Sequence, residues 1–278
     1  MKVGILTTDT LHHRFFVQKL AQNLPENCEI SMVALETKSY PWLSKAKKFW
    51  RCSGANFLRG AFLNPYLQPR FMDKWIYQYE FPRFFPDAKA DWPENIPRES
   101  FHSINSKESC EFLENTQCDI FFVFGTGLIA PEIFSIPPLG AINAHGGLLP
   151  DYRGLDTNLW AAFLGRPDDM YITIHSVERD FDTGGICAIA QIPMAYDLSL
   201  VSLRYYTLGS CWYACRTPTT RKLLELALEV LPKIDRGTAV FTPQPKVGRY
   251  FGPLPFLKKL IANRNIKRFA RLHADGAE

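Results

Sequence analysis

The chain opens on a short apolar run, Val3-Gly4-Ile5-Leu6, followed by a polar stretch from Thr7 to Thr10. An apolar run bounded by turn residues is the pattern of a buried strand. Asp9 or Thr10 can cap a helix over 11–23, in which Phe15, Phe16 and Leu20 share one face. A second apolar run, ISMVAL at 30–35, completes the strand–turn–helix–strand order of a parallel βαβ unit. Regularity is then lost. From 36 to 100 the chain mixes basic residues (Lys45, Lys47, Lys48, Arg51) with aromatics (Trp42, Trp50, Trp75) and is broken by prolines. That stretch reads as an insertion with one or two helices packed over the sheet edge.

Helical spacing returns at 106–116, and the continuous apolar run 120–124 reads as a strand buried on both faces. Gly125-Thr126-Gly127 ends it, a short helix begins near Pro131, and LGAINA at 139–144 is another strand. A helix is expected at 158–164, an alternating strand at 171–177 and a further strand at 186–192. After Asp197 the pattern changes to amphipathic helices at 200–216 and 221–231, then a basic amphipathic segment from about Pro253. The order predicts an α/β fold: a domain over 1–197 with an insertion at 36–100, and a small, partly helical region over 198–278.

Composition narrows this only a little. The 278 residues are 46% hydrophobic and 22% charged, with a net charge of +4, and a pI of 8.6. The charge is too mild to make nucleic acid the expected partner and suits an anionic small molecule equally well. Seven scattered cysteines without a CxxC pair support neither a zinc site nor a redox motif, so no metal is expected. Free thiols point to a reducing compartment and hence to a cytoplasmic protein. The first residues do not read as a signal peptide, and no apolar stretch is long enough for a transmembrane helix.

The chemistry-bearing stretch is GAINAHGGLLPDYRGLDTNLW at 140–160, followed by YITIHSVERDFDTGG at 171–185. Asn143 and His145 stand at i, i+2, so both point to one side of a strand end. Gly146-Gly147 lets backbone approach a ligand closely. Asp182-Thr183-Gly184 then supplies a carboxylate on a tight turn. His175, in the alternating strand, reads as structural. His12, His13 and Arg14 follow the first strand, where parallel-sheet proteins hold anions at a helix N-terminus; a solvated first turn is the competing reading. No Gly-rich phosphate fingerprint occurs there. Arg153 reads equally as a phosphate ligand or as a surface ion-pair partner.

The pattern Asn143-x-His145, Leu149-Pro150, Tyr152-Arg153-Gly154 and Asp182-Thr183-Gly184 resembles that of the folate-dependent formyltransferases. The resemblance covers 115–195 well, and extends more weakly to the first strand and to Gly248-Arg249-Tyr250-Phe251. It implies a Rossmann-like parallel-sheet domain and 10-formyltetrahydrofolate as formyl donor. It also implies that Asn143 and His145 donate to the formyl oxygen, that His145 passes a proton, and that Asp182 accepts the proton of the attacking amine. The pteridine ring would lie against Thr126, Gly127, Leu128 and Ile129 and against Arg179, Asp180 and Phe181. His12, Arg14, Tyr152 and Arg153 are the candidate acceptor-binding residues.

By elimination within that family, the chain is most similar to members that formylate amino sugars carried on nucleotides. About 80 residues follow Asp197, and they do not read as the β-barrel of the methionyl-tRNA enzymes. A small-molecule amine, such as a sugar nucleotide, is therefore the expected partner, without nucleic acid and without a membrane span. A homodimer is compatible with the sequence. Hydroxyornithine or methionyl-tRNA as acceptor, and a non-catalytic folate- or nucleotide-binding module, stay open. The C-terminal basic segment reads as a solvated face rather than a membrane anchor.

Overall fold

The computed structural model describes residues 1–37, 85, 91–193 and 210–274. Most of the 36–100 insertion, and the expected helix start at 200–209, lie outside the described residues. Strands β1 (Lys2–Thr7) and β2 (Glu29–Glu36) flank helix α1 (Leu11–Asn23). Thr10 caps α1, its hydroxyl accepting from the His13 amide, which satisfies an orphan donor of the first turn. There follow β3 (Arg98–Phe101), α2 (Lys107–Asn115), β4 (Ile120–Val123), α3 (Pro131–Phe134), β5 (Ala141–His145), β6 (Tyr152–Gly154), α4 (Thr157–Phe163), β7 (Tyr171–Ser176) and β8 (Ile186–Gln191). Helix α5 (Ser210–Asp235), strand β9 (Arg249–Phe251) and helix α6 (Phe256–Ala274) complete the described chain.

The main sheet has the order β3-β2-β1-β4-β5-β7-β8. Its first five strands pair in parallel, as expected. The last two differ: β5, β7 and β8 pair antiparallel. Only residues 177–185 join β7 to β8, too few for a parallel crossover, which needs about a dozen or more. Strand β4 is fully buried, as a strand covered on both faces should be. Phe16, Phe122 and Ile5 of one face pack with Leu226, Val230 and Leu231 of α5 and Ala262 and Ile266 of α6 in a single apolar cluster.

Three elements escape the hydrophobic pattern. Strand β3 lies inside the stretch read as insertion, and its RESF sequence carries little apolar signal. Strands β6 and β9 form a separate two-stranded parallel ribbon, joining Tyr152 to Arg249 and Gly154 to Phe251. The expected break between two late helices is absent. Helix α5 is continuous through Pro218.

Candidate active site

The strand order reverses between β1 and β4, since β2 and β4 flank β1 on opposite sides. Open α/β sheets bind ligands at the carboxyl ends of their strands beside such a reversal. A cleft of about 360 Å³ opens there. The start of α1, the segment after β4, the end of β5 and the 180–182 turn line it, and Thr219, Thr220 and Leu223 of α5 form a further wall.

The polar centre is built where β5 meets β7. Antiparallel register sets Asn143 opposite His175 and His145 opposite Thr173, and side chains two apart on a strand share a face. Asp182 comes up against that face from the loop after β7. Its Oδ1 lies 3.4 Å from Asn143 Nδ2 and 3.5 Å from both His145 Nδ1 and His175 Nε2. Its Oδ2 accepts the Gly154 amide at 2.8 Å. Asn143 Nδ2 also lies 3.1 Å from His175 Nε2.

The turn that presents Asp182 is held from several directions. Asp182 itself has a left-handed φ of 54°, an uncommon conformation for a residue other than glycine. Gly184 packs so closely that a Cβ there would lie 1.8 Å from the Ser176 carbonyl oxygen, which explains Gly at that position. Arg153 donates to the Phe181 carbonyl from Nε at 3.0 Å and Nη2 at 2.6 Å. Gln244 Nε2 donates to the carbonyls of Asp182 at 3.0 Å and Gly184 at 2.8 Å.

Hydrogen bonding fixes the histidine tautomers. His145 Nε2 lies 2.7 Å from the Tyr152 carbonyl. A carbonyl only accepts, so Nε2 carries the hydrogen and Nδ1 is the atom facing Asp182. By the same logic the Ser176 carbonyl, 2.7 Å from His175 Nδ1, takes that ring's hydrogen and leaves Nε2 towards Asn143. Burial pushes the His145 imidazole below its ordinary pKa; the Asp182 charge opposes this, and His175 and Arg153 reinforce it. Burial alone would raise the Asp182 carboxyl. The pull of His145, which acts when that ring is protonated, and the Gly154 amide outweigh it and hold the carboxyl below its ordinary range. Near neutral pH the centre is thus a carboxylate facing a neutral imidazole.

Several expected residues meet at the cleft and others do not. Asn143, His145 and Asp182 converge, and His12, Asp180 and Phe181 line the cleft with Thr126, Gly127, Leu128 and Ile129. That last loop is braced by two residues the sequence reading did not single out. Glu36 Oε2 accepts the Gly127 amide at 2.9 Å. Asn105 donates to the Leu128 carbonyl and accepts from the Ala130 amide, both at 2.8 Å.

Arg14 is turned away. It pairs with Asp9 at 2.7 Å and lines a different cleft, beside Trp92. Arg179 is exposed outside the cleft wall. Tyr152 is buried, its hydroxyl donating to Asp169 at 2.7 Å. Burial and that carboxylate push its pKa up to about 12. Arg153 is not a surface ion-pair partner: it is 8% exposed and donates to the carbonyls of Phe181 and Gly248. His175 is the reverse case, a residue read as structural that stands in the polar centre, because antiparallel pairing brings it beside Asn143. Among the described residues no group of three or more His, Cys, Asp or Glu could hold a metal ion.

Residues 95–208 match the model of the formyl transferase family. The chain is 32% identical over 146 residues to a methionyl-tRNA formyltransferase of Herminiimonas arsenicoxydans, covering 51% of this chain and 41% of that one. It is also 32% identical over 165 residues to the methionyl-tRNA formyltransferase of Dictyoglomus turgidum, covering 58% and 48%. The chain thus spans less than half the length of these curated relatives. A sugar N-formyltransferase from Shewanella sp. shares the fold with a TM-score of 0.54 at 12% identity, over 96% of this chain and 87% of that one. A 4-N formyltransferase from Francisella tularensis does so at 0.53 and 14%, over 95% and 87%. Over residues 95–208, this chain is similar to the formyl transferase family.

Proposed function

We propose that the protein transfers a formyl group from 10-formyltetrahydrofolate to an amine, and that the amine belongs to a nucleotide-linked amino sugar. The observation that carries the reaction is the convergence of Asn143, His145 and His175 on one oxygen of Asp182 at the edge of a ligand-sized cleft. Thr126–Ile129 and Phe181 are the surfaces offered to the flat pteridine.

In this reading the amine nitrogen attacks the formyl carbon, and the carbonyl oxygen becomes an oxyanion. Asn143 Nδ2 gives up its long 3.4 Å contact with Asp182 and donates that hydrogen to the oxyanion, a contact of the kind whose loss costs about 3–4 kcal/mol. The His145 Nε2 hydrogen is committed to the Tyr152 carbonyl. Neutral His145 therefore serves the reaction through Nδ1, which with Asp182 takes the proton released by the amine. The C–N bond to the folate then breaks, and the same proton moves to the departing folate nitrogen. His175 keeps Asn143 turned towards the cleft.

Two features support the sugar-nucleotide acceptor. The fold likeness to the Shewanella enzyme spans most of both chains. Residues 210–274 form two long helices and a three-residue strand. The sequence relatives favour methionyl-tRNA as a second reading.

Incubation with 10-formyltetrahydrofolate and a panel of nucleotide-linked amino sugars, hydroxyornithine and methionyl-tRNA, read by mass spectrometry, separates these. Formylated sugar nucleotide is the expected product. Formylated tRNA or hydroxyornithine alone would keep the reaction and overturn the acceptor. No product, together with no binding of a stable formylfolate analogue, would overturn both.

A further inference from the structure

Helix α6 carries charge of one sign. Its 19 residues, FLKKLIANRNIKRFARLHA, contain six lysines and arginines and no acidic residue.

The buried side of α6 is fully accounted for. Ala262, Asn263, Ile266 and Ala270 are buried, Lys258 lies over the Trp160 ring at 4.7 Å, and Lys259 pairs with Asp156 at 2.9 Å. The opposite side is mixed. At 3.6 residues per turn, Arg264, Arg268 and Arg271 fall within one narrow stripe, and all three are exposed. Leu260, Ile261 and Leu272 border that stripe and are 42%, 45% and 60% exposed. A solvated helix face ordinarily mixes charges of both signs and hides its aliphatic residues.

We propose that this face of α6 is a peripheral docking surface for an anionic lipid bilayer. The arginines suit the headgroup phosphates, and the bordering aliphatic side chains suit the acyl boundary just beneath them, which is how interfacial amphipathic helices bind. A second copy of the chain fits badly, since a twofold contact would set arginines against arginines. A polynucleotide would use the arginines but leave the three aliphatic residues unexplained, and the stripe offers no aromatic ring for a base to stack on. No helix among the described residues is long and apolar enough to cross a membrane, so the contact is with the surface only.

The test is co-sedimentation of the full chain with mixed phosphatidylglycerol–phosphatidylcholine vesicles and with pure phosphatidylcholine vesicles. Binding to the mixed vesicles, and much weaker binding to the neutral ones, is expected. Replacing Arg264, Arg268 and Arg271 together by Gln should weaken the mixed-vesicle affinity by about 100-fold, given the known worth of each basic residue near such a surface. Replacing Leu260, Ile261 and Leu272 together by Ser should weaken it by about tenfold. Both variants should keep the circular dichroism spectrum of the parent. Equal binding to neutral vesicles, absence of vesicle binding, or loss of vesicle binding to competing RNA with the serine variant unaffected, would each overturn the proposal. The last outcome would assign the stripe to nucleic acid. None of these readouts depends on the formyl-transfer reading.

Discussion

The two ends of the main sheet are built to opposite specifications. In the parallel half, the buried side chains of β1, β2 and β4 are apolar except for Thr7 and Glu36 at the strand ends. Ile5, Phe121 and Phe122 are completely buried, and these strands serve the cleft through Val123 and through Glu36, which braces the loop after β4. In the antiparallel half, buried positions are given to polar side chains. Thr173 is 0% exposed, His175 2%, His145 6% and Asp182 8%. One half supplies cohesion, and the other holds groups that an apolar core would reject unless each had a partner. Strand β5 belongs to both, paired in parallel with β4 and antiparallel with β7, and the polar centre sits on it. The lesson is that stability and chemistry are segregated laterally across one sheet rather than mixed along each strand.

This division can be broken from either side. Asp182→Asn is expected to lower kcat by about 10³- to 10⁴-fold while shifting the thermal midpoint by only a few degrees; a turnover equal to the parent's would remove Asp182 from the chemistry. Phe122→Ala, in the parallel half, should cost about 3–5 kcal/mol of folding stability, read by denaturant unfolding. Under conditions where that variant is folded, its kcat should match the parent's. Gln244→Ala leaves every side chain facing Asp182 in place and removes only the clamp on its backbone. A loss of about tenfold in kcat with little change in KM is expected, in keeping with the sensitivity of rates to misplacement, and Gln244→Glu should not restore it.

The smallest effect is on pH. Both His145 and Asp182 have folded pKa values depressed below their ordinary 6.5 and 3.8. Folding therefore favours their deprotonated forms, and this stability is present above those values. It is lost as pH falls, first for His145 below 6.5 and then for Asp182 below 3.8. Unfolding free energies measured from pH 8 to pH 4 should decline, and His145→Gln should flatten the upper part of that decline.

The parallel half was legible because its signal is local. An unbroken apolar run such as 120–124 has few readings other than a buried strand. Asn143 and His145 were legible because their relation is also local, two residues apart on one strand. His175 lies 32 residues from Asn143, and its role arises only once β7 runs antiparallel to β5. A trace of it does exist. Thr173 and His175 fall on one face of β7 and Ile172 and Ile174 on the other, and both faces are buried; an alternating strand with no solvent-facing side must turn its polar residues towards something. The burial of Arg153 was hidden for a related reason, since composition cannot tell a guanidinium bound to backbone carbonyls from one on the surface. The β6–β9 ribbon left no hydrophobic pattern, because three-residue strands have no period; its residues were singled out as motif segments, not as strands.

That ribbon sets a limit on how the molecule could be divided. The family match ends at residue 208, which suggests a self-sufficient module that could be excised or grafted onto another protein. Yet the Gln244 amide that grips the Asp182 turn, the Gly248 carbonyl that receives Arg153 at 3.4 Å and the strand that registers Gly154 under Asp182 all come from beyond it. A shortened chain ending there would carry every side chain that faces Asp182 and yet present the carboxylate on a turn anchored from one side only. The end of the family match and the end of the chain that holds the Asp182 turn fall at different places in this protein.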